Sequence, residues 1–162
     1  MSPEKAKIVT EFLAKNLERE SALTRKVLAA VPADKMDWQP HEKGFTAGAL
    51  AWHIASIDCY FVQGIVDGGW GPPAKMEQPK TPSEIVAFYE QHLPGLIAKA
   101  QDLTGEQAVK EITFMGKYTQ PAVMFLNLAT GHSIHHRGQL SAYLRAMGAR
   151  VPSIYGQSAD DK

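Results

Sequence analysis

The sequence predicts an all-α protein: a four-helix bundle with one long crossover connection, formed by a single domain over residues 1–162. Three observations carry this. Four long stretches repeat apolar residues at helical period. Capping and stop residues bracket those stretches, as at Ser2-Pro3, Thr81-Pro82, Gly68-Gly69 and Gly148. Between the third and fourth stretches, residues 103–118 lack the helical period and read as a structured crossover, which completes a bundle architecture.

The first helix is expected from about Pro3 to Ala30, with Ser2 as N-cap, Pro3 at N1 and Glu4 in the first turn. Ile8, Val9, Phe12, Leu13, Leu17, Leu23 and Val27 form its apolar stripe, and Val31-Pro32 ends it. The second spans about Thr46 to Val66. Leu50, His53, Ile57 and Tyr60 share its broad face, with Ile54, Phe61 and Ile65 at the margin. Gly68-Gly69 and Pro72-Pro73 stop it.

Thr81, Pro82 and Glu84 form a capping box before a third helix, whose face includes Ile85, Phe88, Tyr89, His92, Leu93, Leu96 and Ile97. Pro94 removes one hydrogen bond within it. In the crossover, Ile112, Phe114 and Tyr118 alternate as in a short extended piece. The fourth helix starts at Gln120 or Pro121 behind a Thr119 N-cap and runs to Met147. Ala122, Phe125, Ala129, His132, His136, Leu140, Tyr143 and Met147 point inward, and Gly148 stops it. The tail packs Val151 and Ile154 and is expected to fray from about Gln157.

Composition narrows the function classes. Lysine plus arginine and aspartate plus glutamate balance at 17 each, so no basic field attracts a phosphate backbone and nucleic-acid binding is disfavoured. Cys59 is the only cysteine, which excludes an intramolecular disulfide and a thiolate cluster. The N-terminus reads as a charged amphipathic segment instead of a signal peptide. Charged and polar residues interrupt the apolar runs before membrane-spanning length, so no membrane partner is expected and the cytoplasm is the expected compartment.

Chemistry concentrates in the histidines. His132 and His136 are four residues apart and stand one above the other on a helix. His135 could pair with His132 by spacing alone, but the apolar register selects His136. His53 lies on an apolar helix far upstream, and a bundle that joins the two stretches makes a three-histidine centre. Buried surroundings favour the neutral imidazole that a metal requires. Three histidines with one or two waters suit Zn²⁺, Ni²⁺ or Fe²⁺ and leave an open, Lewis-acidic position. Asp58, Gln139 and Tyr143 are candidates to orient the imidazoles. Histidines at this spacing also occur as satisfied core residues without metal. Ser133 stands where a His-Glu-x-x-His protease would need its glutamate, so that class is excluded.

Other polar residues have simpler readings. Glu20 and Asn16 read as a partly exposed flank, His41 as solvated, and His92 as a packed or pocket-lining residue. Arg137 reads as a solvated helix arginine or an anion contact at a pocket rim. Trp38 and Trp52 read as core or rim aromatics, and Trp70 as a loop residue packed on the domain. Gly44 and Gly48 look conformational, because no strand precedes them as in a phosphate-binding loop. Cys59 follows His53 by six positions, about 240° around the helix, and should point away from a shared ion as an inert buried thiol.

His53, the run His132-x-x-x-His136-Arg137-Gly138-Gln139-Leu140, and the ending Gly148-Ala149-Arg150-Val151-Pro152-Ser153-Ile154-Tyr155-Gly156 resemble the DinB/YfiT-like superfamily of small bacterial metalloproteins. The resemblance covers nearly the whole chain in element order and spacing. It implies an unusual four-helix bundle whose three histidines, matching His53, His132 and His136, hold one divalent metal ion. It also implies a homodimer. Relatives include thiol-dependent transferases and a mycothiol-dependent isomerase, so a low-molecular-weight thiol is an implied cofactor and a small electrophile an implied substrate. The alternative is a noncatalytic metal-dependent binding or stress-response protein. The family name refers to damage induction and implies no DNA binding.

Overall fold

The computed structural model describes residues 1–73 and 75–161. Four long helices form the bundle: α1 (Pro3–Ala29), α2 (Ala47–Asp67), α3 (Pro82–Gln101) and, at the C-terminal end, α5 (Ala122–Ala146). Between α3 and α5 lie a short helix, α4 (Gly105–Val109), and a hairpin of β1 (Glu111–Phe114) and β2 (Tyr118–Pro121). Both α1 and α2 pack against α3 and α5, so α1 faces α2 across one diagonal and α3 faces α5 across the other. The connection 30–46 therefore crosses the bundle as well as the connection 102–121, where the sequence suggested one crossover. This arrangement sets His53 of α2 beside the histidines of α5.

The termini follow the capping chemistry. The Thr46 hydroxyl accepts the Ala49 N–H at 3.1 Å, and Gly68 ends α2 in the left-handed region with φ 77°. Thr81 and Glu84 complete the capping box of α3, and Thr104 with Gln107 forms a second one on α4. Pro94 sits within a continuous α3. Ser2 holds the N-cap position of α1 through its backbone alone. Thr119 does not cap α5; it lies in β2, where its hydroxyl meets that of Thr113 at 2.8 Å, and Pro121 takes the cap position.

The main core draws on all four long helices, with Leu17, Leu50, Ile54, Ile85, Leu93, Phe125, Leu140 and Leu144 among its closed-off side chains. Two expected stripes are rotated. On α1, Ile8 and Phe12 are 68% and 69% exposed, and the buried face runs through Ala6, Thr10, Ala14 and Leu17. On α2, the central face is Leu50, Ala51, Ile54, Asp58, Phe61 and Ile65, while His53, Ile57 and Tyr60 form its half-buried edge. The edge position leaves His53 facing α5 and open to solvent on one side. By length and composition α2 is apolar enough to cross a membrane, contrary to the expectation from its polar interruptions. Its apolar residues are nonetheless core residues, and Asp58 is buried in its middle.

The crossover is more ordered than the sequence indicated. In the turn joining β1 to β2, Met115 (φ 53°) and Gly116 (φ 66°) both occupy the left-handed region, and the Lys117 N–H donates to the Phe114 carbonyl at 3.1 Å. Phe114 pairs with Tyr118 across the hairpin. Trp70 anchors this region: it packs edge-on against Phe114 and Phe125, and its ring lies directly over Gly64, where any Cβ would collide with it. The tail expected to fray from Gln157 is tied back instead. Asp160 accepts two hydrogen bonds from Arg145, at 3.0 and 2.8 Å, and one from the Val151 N–H at 2.8 Å, while Asp161 engages Arg150 and Ser153.

Candidate metal centre

The structure brings His53, His132 and His136 together. One ring nitrogen from each lies within 4.8 Å of the others, and all three side chains are half-buried. His53 Nε2 and His132 Nε2 are 3.1 Å apart. Two imidazole nitrogens this close share either one proton or one cation. Bound to a tetrahedral ion at about 2.0–2.1 Å, two such nitrogens would stand about 3.3 Å apart. The geometry is therefore close to what a shared ion imposes.

Electrostatics favours the neutral, metal-competent form. Burial, then repulsion from His132 and His136, pushes the His53 imidazole down to about 4. Burial also lowers His136, although its hydrogen bond to Gln139 pulls in the opposite direction.

The surrounding groups select a tautomer. His136 Nδ1–H donates to the Gln139 side-chain oxygen at 3.0 Å, leaving Nε2 with a free lone pair, and the Gln139 amide donates to the Tyr143 hydroxyl at 3.4 Å. His132 Nδ1 faces Asp58 Oδ1 at 3.6 Å. Both atoms are buried and lack a hydrogen-bond partner among the described residues. The second carboxylate oxygen is satisfied: Oδ2 accepts from the Tyr89 hydroxyl at 2.9 Å and from Ser133 Oγ at 2.8 Å. Burial and the Asp58 charge raise the Tyr89 phenol well above its ordinary value, so it stays a donor. A carboxylate pinned on one oxygen and free on the other is suited to back a histidine ligand. This donor set fits a divalent first-row ion.

Aromatic side chains frame the group. Phe45 stacks on His53 with centroids 5.2 Å apart, and Phe61 meets His132 edge-on at 5.5 Å. His135 is exposed and flanks His136 at 4.8 Å. His41 is exposed on the connector and is not one of the converging histidines. His92 is exposed on α3 and stacks with Phe88, lining an α2–α3 cleft with Trp52 and Cys59. The Cys59 thiol is buried there, and burial together with Asp58 pushes it up to about 12, which leaves it an inert thiol.

Arg137 and Glu20 are neither a rim nor an exposed flank. The guanidinium is 1% exposed and donates to Glu20 Oε2 at 2.7 Å, to the Glu20 carbonyl at 3.0 Å and to the Tyr155 hydroxyl. Tyr155 donates in turn to Glu20 at 2.6 Å. Arg137 also reaches Thr24, whose hydroxyl meets Ser133 at 3.1 Å. A buried polar chain thus runs from the C-terminal segment to Asp58. Ser133, Tyr89, Thr24 and Tyr155 were not among the sequence candidates. The signal for Ser133 was its phase, one step from His132 toward the bundle interior.

A bundle in which two of the three connections between long helices cross diagonals, and with three histidines gathered from α2 and α5, defines a class of small helical proteins with a candidate metal centre. The chain belongs to the DinB family, which it matches over residues 2–162. YjoA, an uncharacterized protein of Bacillus subtilis strain 168, is 26% identical over 152 residues, 93% of this chain and 95% of YjoA. The DinB-like crystal structure of YjoA superposes with a TM-score of 0.74 at 25% identity, covering 90% of this chain and 99% of that one. A DinB-like protein of Bacillus cereus ATCC 10987 gives a TM-score of 0.76 at 23% identity over 88% and 95% of the two chains. YfiT of Bacillus subtilis, described as a probable metal-dependent hydrolase with an unusual four-helix bundle topology, gives 0.69 at 19% identity over 86% and 87%.

Proposed function

We propose that this protein is a metal-dependent enzyme that holds one divalent ion on His53, His132 and His136 and acts as a hydrolase or a thiol-dependent transferase. The observation that carries this reading is the convergence of three imidazoles, two of which have a polar group behind the other nitrogen, Gln139 behind His136 and Asp58 behind His132. A divalent ion in such a three-nitrogen site supplies Lewis acidity, which makes a water or a low-molecular-weight thiol nucleophilic near neutral pH. His53, low in proton affinity, offers its lone pair at neutral pH. Phe45 and Phe61 shield two sides of the histidine group from bulk water, which strengthens electrostatic interactions there. The thiol, if one is used, comes from solution, since Cys59 is buried in the α2–α3 cleft and held protonated. The description of YfiT as a probable metal-dependent hydrolase supports the hydrolase form of this reading.

Elemental mass spectrometry on untagged protein tests the centre. About one divalent ion per chain is expected, lost in both His53→Ala and His136→Ala and retained in His41→Ala. Absence of any ion after loading with zinc, nickel and ferrous iron in turn would remove the proposal. Turnover of ester and electrophile panels, with and without added thiol, separates hydrolase from transferase. An ion that is retained with no turnover under either condition would indicate the noncatalytic binding protein.

A further inference from the structure

A cleft of about 630 Å³ opens between the hairpin and the start of α5, with Phe61 between it and His132. One of its lining residues touches the candidate centre, and a second lies one helical turn from it. Phe61 forms part of the wall and also makes the edge contact with His132. Leu128 precedes His132 by four residues, one helical turn on the same side of α5. The rest of the wall is largely apolar, with Phe114, Tyr118 and Met124. Tyr118, Met124 and Leu128 are 62%, 39% and 42% exposed, an apolar surface that a ligand would cover.

Charge specifies the ligand further. Lys117, on the hairpin turn, is the one charged residue lining the cleft, and it forms no ion pair among the described residues. The polar remainder, Thr119, Gln120 and Asn127, is neutral. A wall with one cation at the turn and an aromatic and aliphatic middle that ends at Phe61, the residue in contact with His132, matches an elongated molecule with an apolar body and one anionic head.

We propose that this cleft is the substrate subsite of the centre and that it takes amphiphilic monoanions: an alkyl or aryl body against Phe61, Tyr118 and Leu128, with a carboxylate or sulfonate at Lys117. This inference rests on the metal-dependent reading for its catalytic meaning, but the binding itself stands on the cleft.

Octanoate is the probe, with octanamide as its neutral counterpart, in calorimetric titrations of metal-loaded protein. One saturable octanoate site per chain is expected, with octanamide at least fivefold weaker. Lys117→Glu should weaken octanoate about fivefold by reversing an exposed charge. Leu128→Asp should weaken it about tenfold by placing a charge on the apolar wall. No saturable binding to the wild type, or unchanged affinity in both variants, overturns the proposal. So does a wild-type dimer that Leu128→Asp converts to monomer while octanoate affinity is unchanged, because that outcome gives the patch to a second copy of the chain. Metal content measured on the same samples keeps the two readings apart. An ion present without octanoate binding overturns the subsite alone, and octanoate binding without an ion overturns the metal centre alone.

Discussion

Asp58 Oδ1 stands 3.6 Å from His132 Nδ1, with both atoms buried and neither otherwise partnered among the described residues. The carboxylate cannot rotate away cheaply, because Tyr89 and Ser133 both donate to its other oxygen. Its free oxygen therefore faces His132 Nδ1, while His132 Nε2 lies toward His53. Asp58→Asn should reduce metal affinity about 10–100-fold, as expected when a histidine ligand loses its carboxylate partner. Tyr89→Phe should cause a smaller loss in the same direction. Competition against a fluorescent chelator reads both, and unchanged affinity in Asp58→Asn would remove the backing role.

Arg137 and Glu20 form a buried ion pair that also orders Tyr155. Removing one partner leaves the other as an uncompensated buried charge, so Arg137→Met should cost about 3–5 kcal/mol in urea unfolding. The double variant Glu20→Leu/Arg137→Met should recover a large part of that loss, because neither charge is then stranded. Additive losses in the double variant would show that the pair does not act as a unit.

The nearness of His132 to His136 was legible because periodicity reports phase, and phase places one over the other on a single side of their helix. The Arg137–Glu20 pair was not legible. Its partners are 117 residues apart, and a lone arginine in a helix carries no mark of the glutamate it will meet. Ile8 and Phe12 misled for a related reason: an apolar period shows that a helix has a greasy side, but not how far the neighbouring helices cover it. The hairpin escaped notice because its turn reads Met115-Gly116, without the Asn-Gly or Asp-Gly pair that signals such a turn.

That turn yields a stability test. Met115 holds φ 53°, a conformation that costs a side chain with an ordinary Cβ about 1–2 kcal/mol and that asparagine tolerates better. Its side chain is exposed, so little packing is lost on replacement. Met115→Asn should raise stability by up to about 1 kcal/mol, seen as a higher urea midpoint at unchanged slope, with metal content unaffected. A lower midpoint would mean that Met115 contributes contacts outweighing its backbone strain.

The pH dependence of the metal-free protein separates two groups, the half-buried His53 and the buried Glu20. His53 is pushed down to about 4 when folded, below its ordinary value near 6.5, first by burial and then by its histidine neighbours. Between those values the unfolded chain binds more protons than the native one, so stability should fall as pH drops from about 6.5 to about 4, and this contribution levels off below. Glu20 acts in a lower window. Burial opposes its ionisation, but the Tyr155 hydroxyl and the Arg137 guanidinium outweigh that and hold its carboxyl below the ordinary value of 4.5. Its contribution is present above the unfolded value and is lost as pH falls through the folded one. In thermal melts of apo protein, His53→Gln should flatten the slope between pH 6.5 and 4 and leave the acid limb in place. Glu20→Gln should lower stability at neutral pH and flatten the acid limb below about 4.5. If His53→Gln leaves the upper slope unchanged, the imidazole is not held neutral by burial, and the main electrostatic argument for His53 as a ready ligand fails.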